Sequence, residues 1–512
     1  MKAKIRQTLA RRKRRIQNRL DKNDLRGMER PMFTASNIHY EIAERTRAVS
    51  AGGIGAIHQV VKHVKLDELI NQRLRLLKLC LPYHESDHVL NIAYNMLAGG
   101  TCLEHLETLR NDEVYLDAVG ARRIPDPTTA GDFCRRFSPW HIHVLQETFN
   151  EARLRVWGQQ PQAFFKEAVI DGDGAMVETG GECKQGIDIN YKGQWGYHPL
   201  VISLANTCEP LYIVNRSGNR PSHEGAAFYY DQAVNLCRKA GFQKILLRGD
   251  TDFSQTKHLD GWDAGGVRFI FGMDASPTLV SLAENLPKRA WTKLERRPRY
   301  EVKTQPRRRP KNVKEQIVRE REFENIRLQG EWVAEFSYQP VACERPYRMI
   351  VVRKDLEVTR GQKVLFDNRV RYFFYITNDC ERIPQAVVEK ANERCNQENL
   401  IAQHKSGVSA LKAPVDTLES NWAYMVMASL AWSLKAWAAL LLPEEGRWKE
   451  RRVEEKRKLL RMEFATFQRV FMNMPAQIVR TSRRIIFRLL SWNPWQEVFF
   501  RLLDQLQQPL RC

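Results

Sequence analysis

At 512 residues, with 43% hydrophobic and 28% charged side chains, the chain exceeds what one core supports and has none of the composition of a disordered or fibrous protein; roughly two to four domains are expected. Its 81 Lys and Arg against 60 Asp and Glu leave a net charge of +21, which calls for a polyanionic partner, nucleic acid or an anionic membrane surface. The ten cysteines, scattered from Cys80 to Cys512 with no C-x-x-C pair and no zinc-finger spacing, argue against a disulfide or structural-zinc scaffold.

Residues 1–52 form a basic arm. Its first 22 positions hold ten Lys or Arg against Asp21 alone, including the run Arg11, Arg12, Lys13, Arg14 and Arg15, a pattern suited to DNA phosphates. No apolar segment follows Lys2, Lys4 and Arg6, so no secretory signal is read here and a cytoplasmic, nucleoid-associated protein is expected. Over 53–160 the apolar spacing is helical, as in Ile57, Val60, Val61 and Val64, which predicts a small helical DNA-binding domain. Within it, Asp126 and Pro127 announce a capped helix carrying Arg135 and Arg136.

The texture changes over 161–279. Residues 164–170 have strand length and run into Asp171, Gly172 and Asp173. Two further strands are predicted over 197–204 and 211–215, then a helix from Ser222 to about Ala240, then the apolar run Ile245, Leu246 and Leu247 that stops at Gly249 and Asp250. Residues 280–370 read as a β-rich insertion. It contains an exposed basic excursion over 293–314, with ten Lys or Arg against two Glu, among them Arg307, Arg308 and Arg309. Strands are predicted near 332–338 and 348–353, and a strand over 372–377 returns to the main sheet. The stretch 371–442 completes the core and is helical beyond Ile383; 443–512 is a basic, aromatic-rich region read as helical. The apolar run 422–442 approaches the ~20 residues of a membrane span, but Lys435 interrupts it, so a buried core helix is expected and no membrane partner.

Carboxylates at the ends of two apolar strands gain nothing there unless a cation or ligand offsets their desolvation. A single helix over 391–405 would set Arg394, Glu398 and Lys405 within roughly 40° of one face. Acid and flanking cations in that pattern suit Mg²⁺ or Mn²⁺, which take a few carboxylate oxygens and leave positions for water and phosphate; two such ions serve an in-line phosphoryl displacement. Arg394 and Lys405 are then assigned to phosphate. Asp171 and Asp173 are two apart and share one side of the strand, so either could be the ligand. Asp250 is favoured over Asp252 because it ends the strand. Trp291 and Trp332 are candidates for base stacking or for packing, and His198, His223 and Glu224 read as structural.

The run from Arg394 to Lys405 fits R-x3-E-x6-K, and this resembles the signature around the catalytic glutamate of bacterial insertion-sequence DDE transposases. That branch carries Y-x2-R-x3-E-x6-K; Ala391 stands where its tyrosine would be. The stretches Asp171-Gly-Asp-Gly-Ala, Arg248-Gly-Asp-Thr-Asp-Phe and Asn219-Arg-Pro-Ser-His-Glu-Gly, with Pro82-Tyr83 and Gly99-Gly100, resemble the thirteen-eighty group, and the similarity covers most of the chain. The resemblance implies an α/β protein with a ribonuclease H-like catalytic core interrupted by a β-rich insertion and flanked by helical N- and C-terminal regions. It implies Asp173, in a D-G-small pattern, with Asp250 and Glu398 as catalytic metal ligands, and Asp171 as the alternative or a supporting residue. It implies two Mg²⁺ or Mn²⁺ ions, double-stranded DNA as transposon ends and target, and a homodimer on DNA. The separation of 148 positions from Asp250 to Glu398 leaves room for the insertion. A metal-dependent nuclease of the same fold and a catalytically decayed DNA-binding protein are the rival readings; the first would cut without joining, and the second would lack one of the three acids.

Overall fold

The computed structural model describes residues 3–20, 38–40, 46–78, 82–296, 324–360 and 363–510. Ile57, Val60, Val61 and Val64, which recur on one face of a helical spiral, are all fully buried. They lie on or next to α2 (Ile54–His63), which follows α1 (Ala3–Arg19) and precedes α3 (Leu66–Arg73), α4 (Glu85–Leu97), α5 (Pro127–Arg135) and α6 (Pro139–Trp157). The α5 start is capped as expected: the Asp126 carboxylate accepts from the Thr129 N–H at 2.8 Å, and Pro127 takes the first position, where no backbone N–H is needed. Arg135 is engaged by Asp132 and Asp416 at 2.8 and 2.9 Å.

Among the described residues, nine strands make the central sheet: β1 (Glu167–Gly174), β2 (Leu200–Leu204), β3 (Glu209–Val214), β4 (Lys244–Gly249), β5 (Arg268–Met273), β6 (Thr292–Lys293), β7 (Glu324–Tyr338), β8 (Tyr347–Arg360) and β9 (Lys363–Thr377). Their order is β6-β7-β8-β9-β5-β4-β1-β2-β3. β1 pairs antiparallel with β2 after the long segment 175–199, and β2 with β3 after the short turn 205–208, whereas the crossover through α7 (Ala226–Ala240) brings β4 back parallel to β1, and β5 then joins β4 in parallel. Strands covered on both faces read as continuous apolar runs, as Ala168, Val169 and Ile170 and their partners Ile245, Leu246 and Leu247 do. β7, β8 and β9 are long antiparallel strands, and β9 pairs with β5 from Phe374 opposite Met273 to Thr377 opposite Ile270. The β-rich segment therefore continues the same sheet.

Beyond the sheet come α8 (Pro384–Asn392), α9 (Cys395–Ala402), α10 (Leu418–Leu440) and α11 (Lys449–Arg461). The α10 helix is long and apolar enough to cross a membrane by length and composition, yet its apolar window is entirely buried within the protein, against α2, α4, α6 and β3. Sheet and helices are tied together at Glu209 on β3, which is fully buried and accepts from Arg153 Nε at 3.0 Å, Trp157 Nε1 at 3.1 Å and Trp437 Nε1 at 2.8 Å.

The C-terminal region is not purely helical as expected. Before α12 (Gln496–Gln505) it folds into a hairpin of β10 (Ala476–Arg480) and β11 (Ile485–Leu489), with β10 also pairing Ala48–Val49. The arginines hid the two-residue period: Phe487 and Leu489 are half-buried while Ile486 and Arg488 are exposed. The basic α1, which buries Leu9, attaches to the end of this hairpin through Arg12, whose Nη1 donates to the Leu489 carbonyl at 2.9 Å.

Lys435, in the middle of α10, has no exposure; its Nζ donates to the Leu460 carbonyl at 3.0 Å and lies 3.8 Å from the Trp432 ring centre. Burial pushes the ammonium down to about 7 from its ordinary 10.5. With the folded value below the unfolded one, the unfolded chain holds more protons between these limits, so stability rises with pH across that window and the charge penalty is full below it. Lys435→Met is expected to stabilise the protein at pH 7 by about 1–4 kcal/mol, with the gain shrinking as pH approaches 10. Urea unfolding of both proteins at the two pH values checks this; an unchanged pH slope in the variant contradicts it.

Candidate active site

Asp171 lies inside β1, 1% exposed, opposite Arg248 of β4 in the strand register. Both of its oxygens are taken by that one guanidinium, from Nε and Nη2 at 2.7 Å each. The third nitrogen, Nη1, donates to the Lys390 carbonyl at 2.6 Å and faces Glu393 Oε2 at 3.4 Å, so Arg248 also fastens the end of α8 to the sheet. Gly172, next along β1, admits Tyr230: an added Cβ would sit 2.2 Å from the phenol oxygen, which donates to the Arg248 carbonyl at 2.8 Å.

Asp173 lies two residues further, near the strand end, and Asp250 follows directly after β4. Because β1 and β4 are parallel neighbours, their carboxyl ends coincide and the two aspartates come side by side. Each carboxylate spends one oxygen on backbone. Asp173 Oδ1 accepts from the Gly174 N–H at 2.8 Å, and Asp250 Oδ1 accepts from the Asp252 N–H at 3.1 Å, capping the short turn Thr251–Phe253. The other oxygens converge on one cation: Arg394 Nη1 is 3.1 Å from Asp173 Oδ2, and its Nη2 is 3.6 Å from Asp250 Oδ2. Gly249 lets the turn close, since a Cβ there would meet Phe253 at 2.4 Å. Burial raises the Asp173 carboxyl to about 6, opposed by Arg394 and helped by Asp250; burial likewise raises Asp250.

The single helix expected over 391–405 is two helices. The α8 helix stops at Asn392 and α9 starts at Cys395, because three-residue bonds from the Arg394 N–H to Ala391 and from the Gln397 N–H to Arg394 tighten the chain between them. Arg394 is thus the residue before α9. A π turn, Gln403–Gly407, follows α9 and carries Lys405. Buried Gln397 locks α9 onto β2: its Nε2 donates to the Val201 carbonyl at 3.0 Å, and its Oε1 accepts from the Ser203 hydroxyl. Glu398, exposed on the adjacent turn, lines a cavity of about 390 Å³ together with Asp250, Arg394, Tyr372, Tyr375 and Ala391. Two phenols of β9 therefore share the cavity wall with the alanine at the position of the signature tyrosine. Lys405 is lowered by burial, with Glu178 and Asp173 near enough to pull it back up.

Among the described residues, no three His, Cys, Asp or Glu side chains gather closely enough to hold a metal ion. The donor chemistry nevertheless fits a hard divalent cation. Two half-buried carboxylates already focus on one positive group, and a third carboxylate lines the adjoining cavity. Of the basic arm, Arg11, Lys13, Arg14 and Arg15 are exposed on α1, while Arg12 turns inward to the C-terminal hairpin. Arg307, Arg308 and Arg309 lie outside the described residues. The Trp332 Nε1 donates to Asp355 at 3.2 Å, Trp291 packs near Tyr372, and His198 Nδ1 lies 2.9 Å from the Arg220 carbonyl. Sequence reasoning passed over Arg248, Gln397 and Tyr230 as site residues. Arg248 did leave a signal, since a charge inside an apolar strand requires a buried partner.

The family model described as Transposase DDE domain group 1 matches residues 43–510. No curated relative matches the chain. Among solved structures, one described as a cryo-EM structure of piggyBac transposase synaptic complex with hairpin DNA aligns at 9% identity and a TM-score of 0.35, covering 84% of this chain and 82% of that one. The family match spans the aspartates on β1 and after β4 as well as the Arg394 and Glu398 segment: the chain belongs to the Transposase DDE domain group 1 family.

Proposed function

We propose that this transposase binds the ends of an insertion sequence and cuts and joins double-stranded DNA by phosphoryl transfer, with Asp173, Asp250 and Glu398 as the catalytic carboxylates. The observation that carries the reading is the convergence of the Asp173 and Asp250 oxygens on one positive group, at the ends of neighbouring parallel strands. The order β3-β2-β1-β4-β5, antiparallel on one side of β1 and parallel on the other, supports a ribonuclease H-like core. Asp173 is favoured over Asp171 because Asp171 has both oxygens committed to Arg248.

Asp173, Asp250 and Glu398 would hold two Mg²⁺ or Mn²⁺ ions. Bound there, such ions lower the pKa of water and stabilise the leaving oxygen of an in-line displacement. The chain's own contribution is to hold the carboxylates ionised and aimed. Backbone N–H groups of Gly174 and Asp252 fix one oxygen of each aspartate, and Gln397 fixes the helix that carries Glu398. Lys405, the exposed face of α1 and the excess of basic residues supply phosphate contacts along the duplex. Bringing two DNA ends together calls for a dimer on DNA, acting in the cytoplasm at the nucleoid.

Glu398→Gln is expected to lose cleavage and strand transfer together, on the order of 10³-fold, the rate equivalent of several kcal/mol of charge stabilisation at the transferring phosphate, while DNA binding persists. Labelled DNA carrying the element's ends, with Mg²⁺, reads all three. Cutting without joining by the wild type would make the protein a nuclease, and full activity in the variant would remove Glu398 from the site. Asp171→Asn should act differently: it leaves Arg248 buried without its counter-charge and is expected to cost about 3–5 kcal/mol in urea unfolding. If Asp171→Asn instead unfolds like the wild type and loses only catalysis, the catalytic aspartate is Asp171.

A further inference from the structure

We infer that Arg394 is an internal counter-cation for the Asp173 and Asp250 pair, and that it competes with a divalent ion for the same two carboxylate oxygens. The inference rests on the reading of these aspartates as metal ligands and assigns Arg394 a task beyond gripping phosphate. Each aspartate has its Oδ1 turned to a backbone N–H, at Gly174 and Asp252, so Oδ2 is the oxygen left to face a cation. Both Oδ2 atoms face Arg394, at 3.1 and 3.6 Å, and the Arg394 side chain is only 17% exposed. A side chain that far inside, with its charge matched by two carboxylates, is a structural part of the pair and not a solvated arm reaching for DNA.

A divalent ion that took both Oδ2 atoms would carry its own charge against the guanidinium a few ångströms away, and like charges at that range repel strongly outside bulk water. The ion can bind tightly only if Arg394 withdraws. Arg394 precedes α9 at the turn between two helices, outside the span of either, so its side chain can change partners without unwinding them. A DNA phosphate entering the cavity is the partner that would receive it, since the guanidinium fork that fits a carboxylate also fits a phosphate. Metal loading and phosphate capture are thereby linked: the phosphate draws Arg394 off the aspartates, and their oxygens become available to the ion.

The test is Mn²⁺ binding by the full chain without DNA, followed by loss of the free-ion electron paramagnetic resonance signal. Asp250→Asn defines the part of binding that belongs to this site. Arg394→Gln, which removes the competing charge, is expected to bind Mn²⁺ at that site at least about ten-fold more tightly than the wild type. Arg394→Lys, which keeps the charge, is expected to stay nearer the wild type, and it stands in for the Gln variant should that one fail to fold. Equal or weaker site-specific binding by Arg394→Gln, or by Arg394→Lys in its place a tightening as large as that predicted for Gln, overturns the inference and leaves the catalytic assignment standing. Mn²⁺ binding indifferent to Asp250→Asn overturns both.

Discussion

Two carboxylates held side by side at the ends of buried strands repel one another and resist desolvation, and the rest of the molecule is arranged around that cost. The parallel pairing of β1 and β4 forces Asp173 and Asp250 together, and burial holds both carboxyls above their ordinary range. Such a pair persists only beside positive charge. Arg394 provides it from the start of α9, so the position of that helix, and with it Glu398, is tied to the electrostatics of the strand ends.

Each neighbouring element is secured by a buried polar contact rather than by apolar packing alone. Arg248 takes both oxygens of Asp171 and the end of α8, which fixes the spacing of β1, β4 and the helix behind them. Gln397 pins α9 to β2 from the other side. Glu209 does the same for the helical layer, joining β3 to α6 and α10 through one arginine and two tryptophans. Because every one of these groups is satisfied, their burial specifies a single arrangement of helices on the sheet. The long strands β7 to β9 extend that sheet past β5 and supply Tyr372 and Tyr375 to the wall of the cavity that Asp250, Arg394 and Glu398 line.

Much of this was legible in residue order. The apolar runs before Asp173 and Asp250 have strand length, the segment between them encodes a hairpin and a crossover helix, and the strand ending at Thr377 was expected to return to the sheet. What failed did so for local reasons. The helix through Arg394 has unbroken helical spacing, and nothing in that spacing marks the tightened turn at Glu393 and Arg394. The C-terminal hairpin half-buries Phe487 and Leu489 and exposes Ile486 and Arg488, but Arg480, Arg483, Arg484 and Arg488 disguise its strands as a basic tail. The pairing of Arg394 with Asp173 and Asp250 went unseen because those partners lie 221 and 144 positions upstream, and long-range ion pairs leave no periodic trace in sequence.

The most direct test of the central claim, that these aspartates bind catalytic metal themselves, is a change of metal preference in Asp250→Cys. A thiolate is a poor ligand for Mg²⁺ but a good one for softer ions. DNA cleavage by the variant is expected to vanish in Mg²⁺ and to return in part with Mn²⁺ or Cd²⁺. Undiminished cleavage in Mg²⁺ would contradict the account, as would a variant that folds and binds DNA yet is inactive with all three ions.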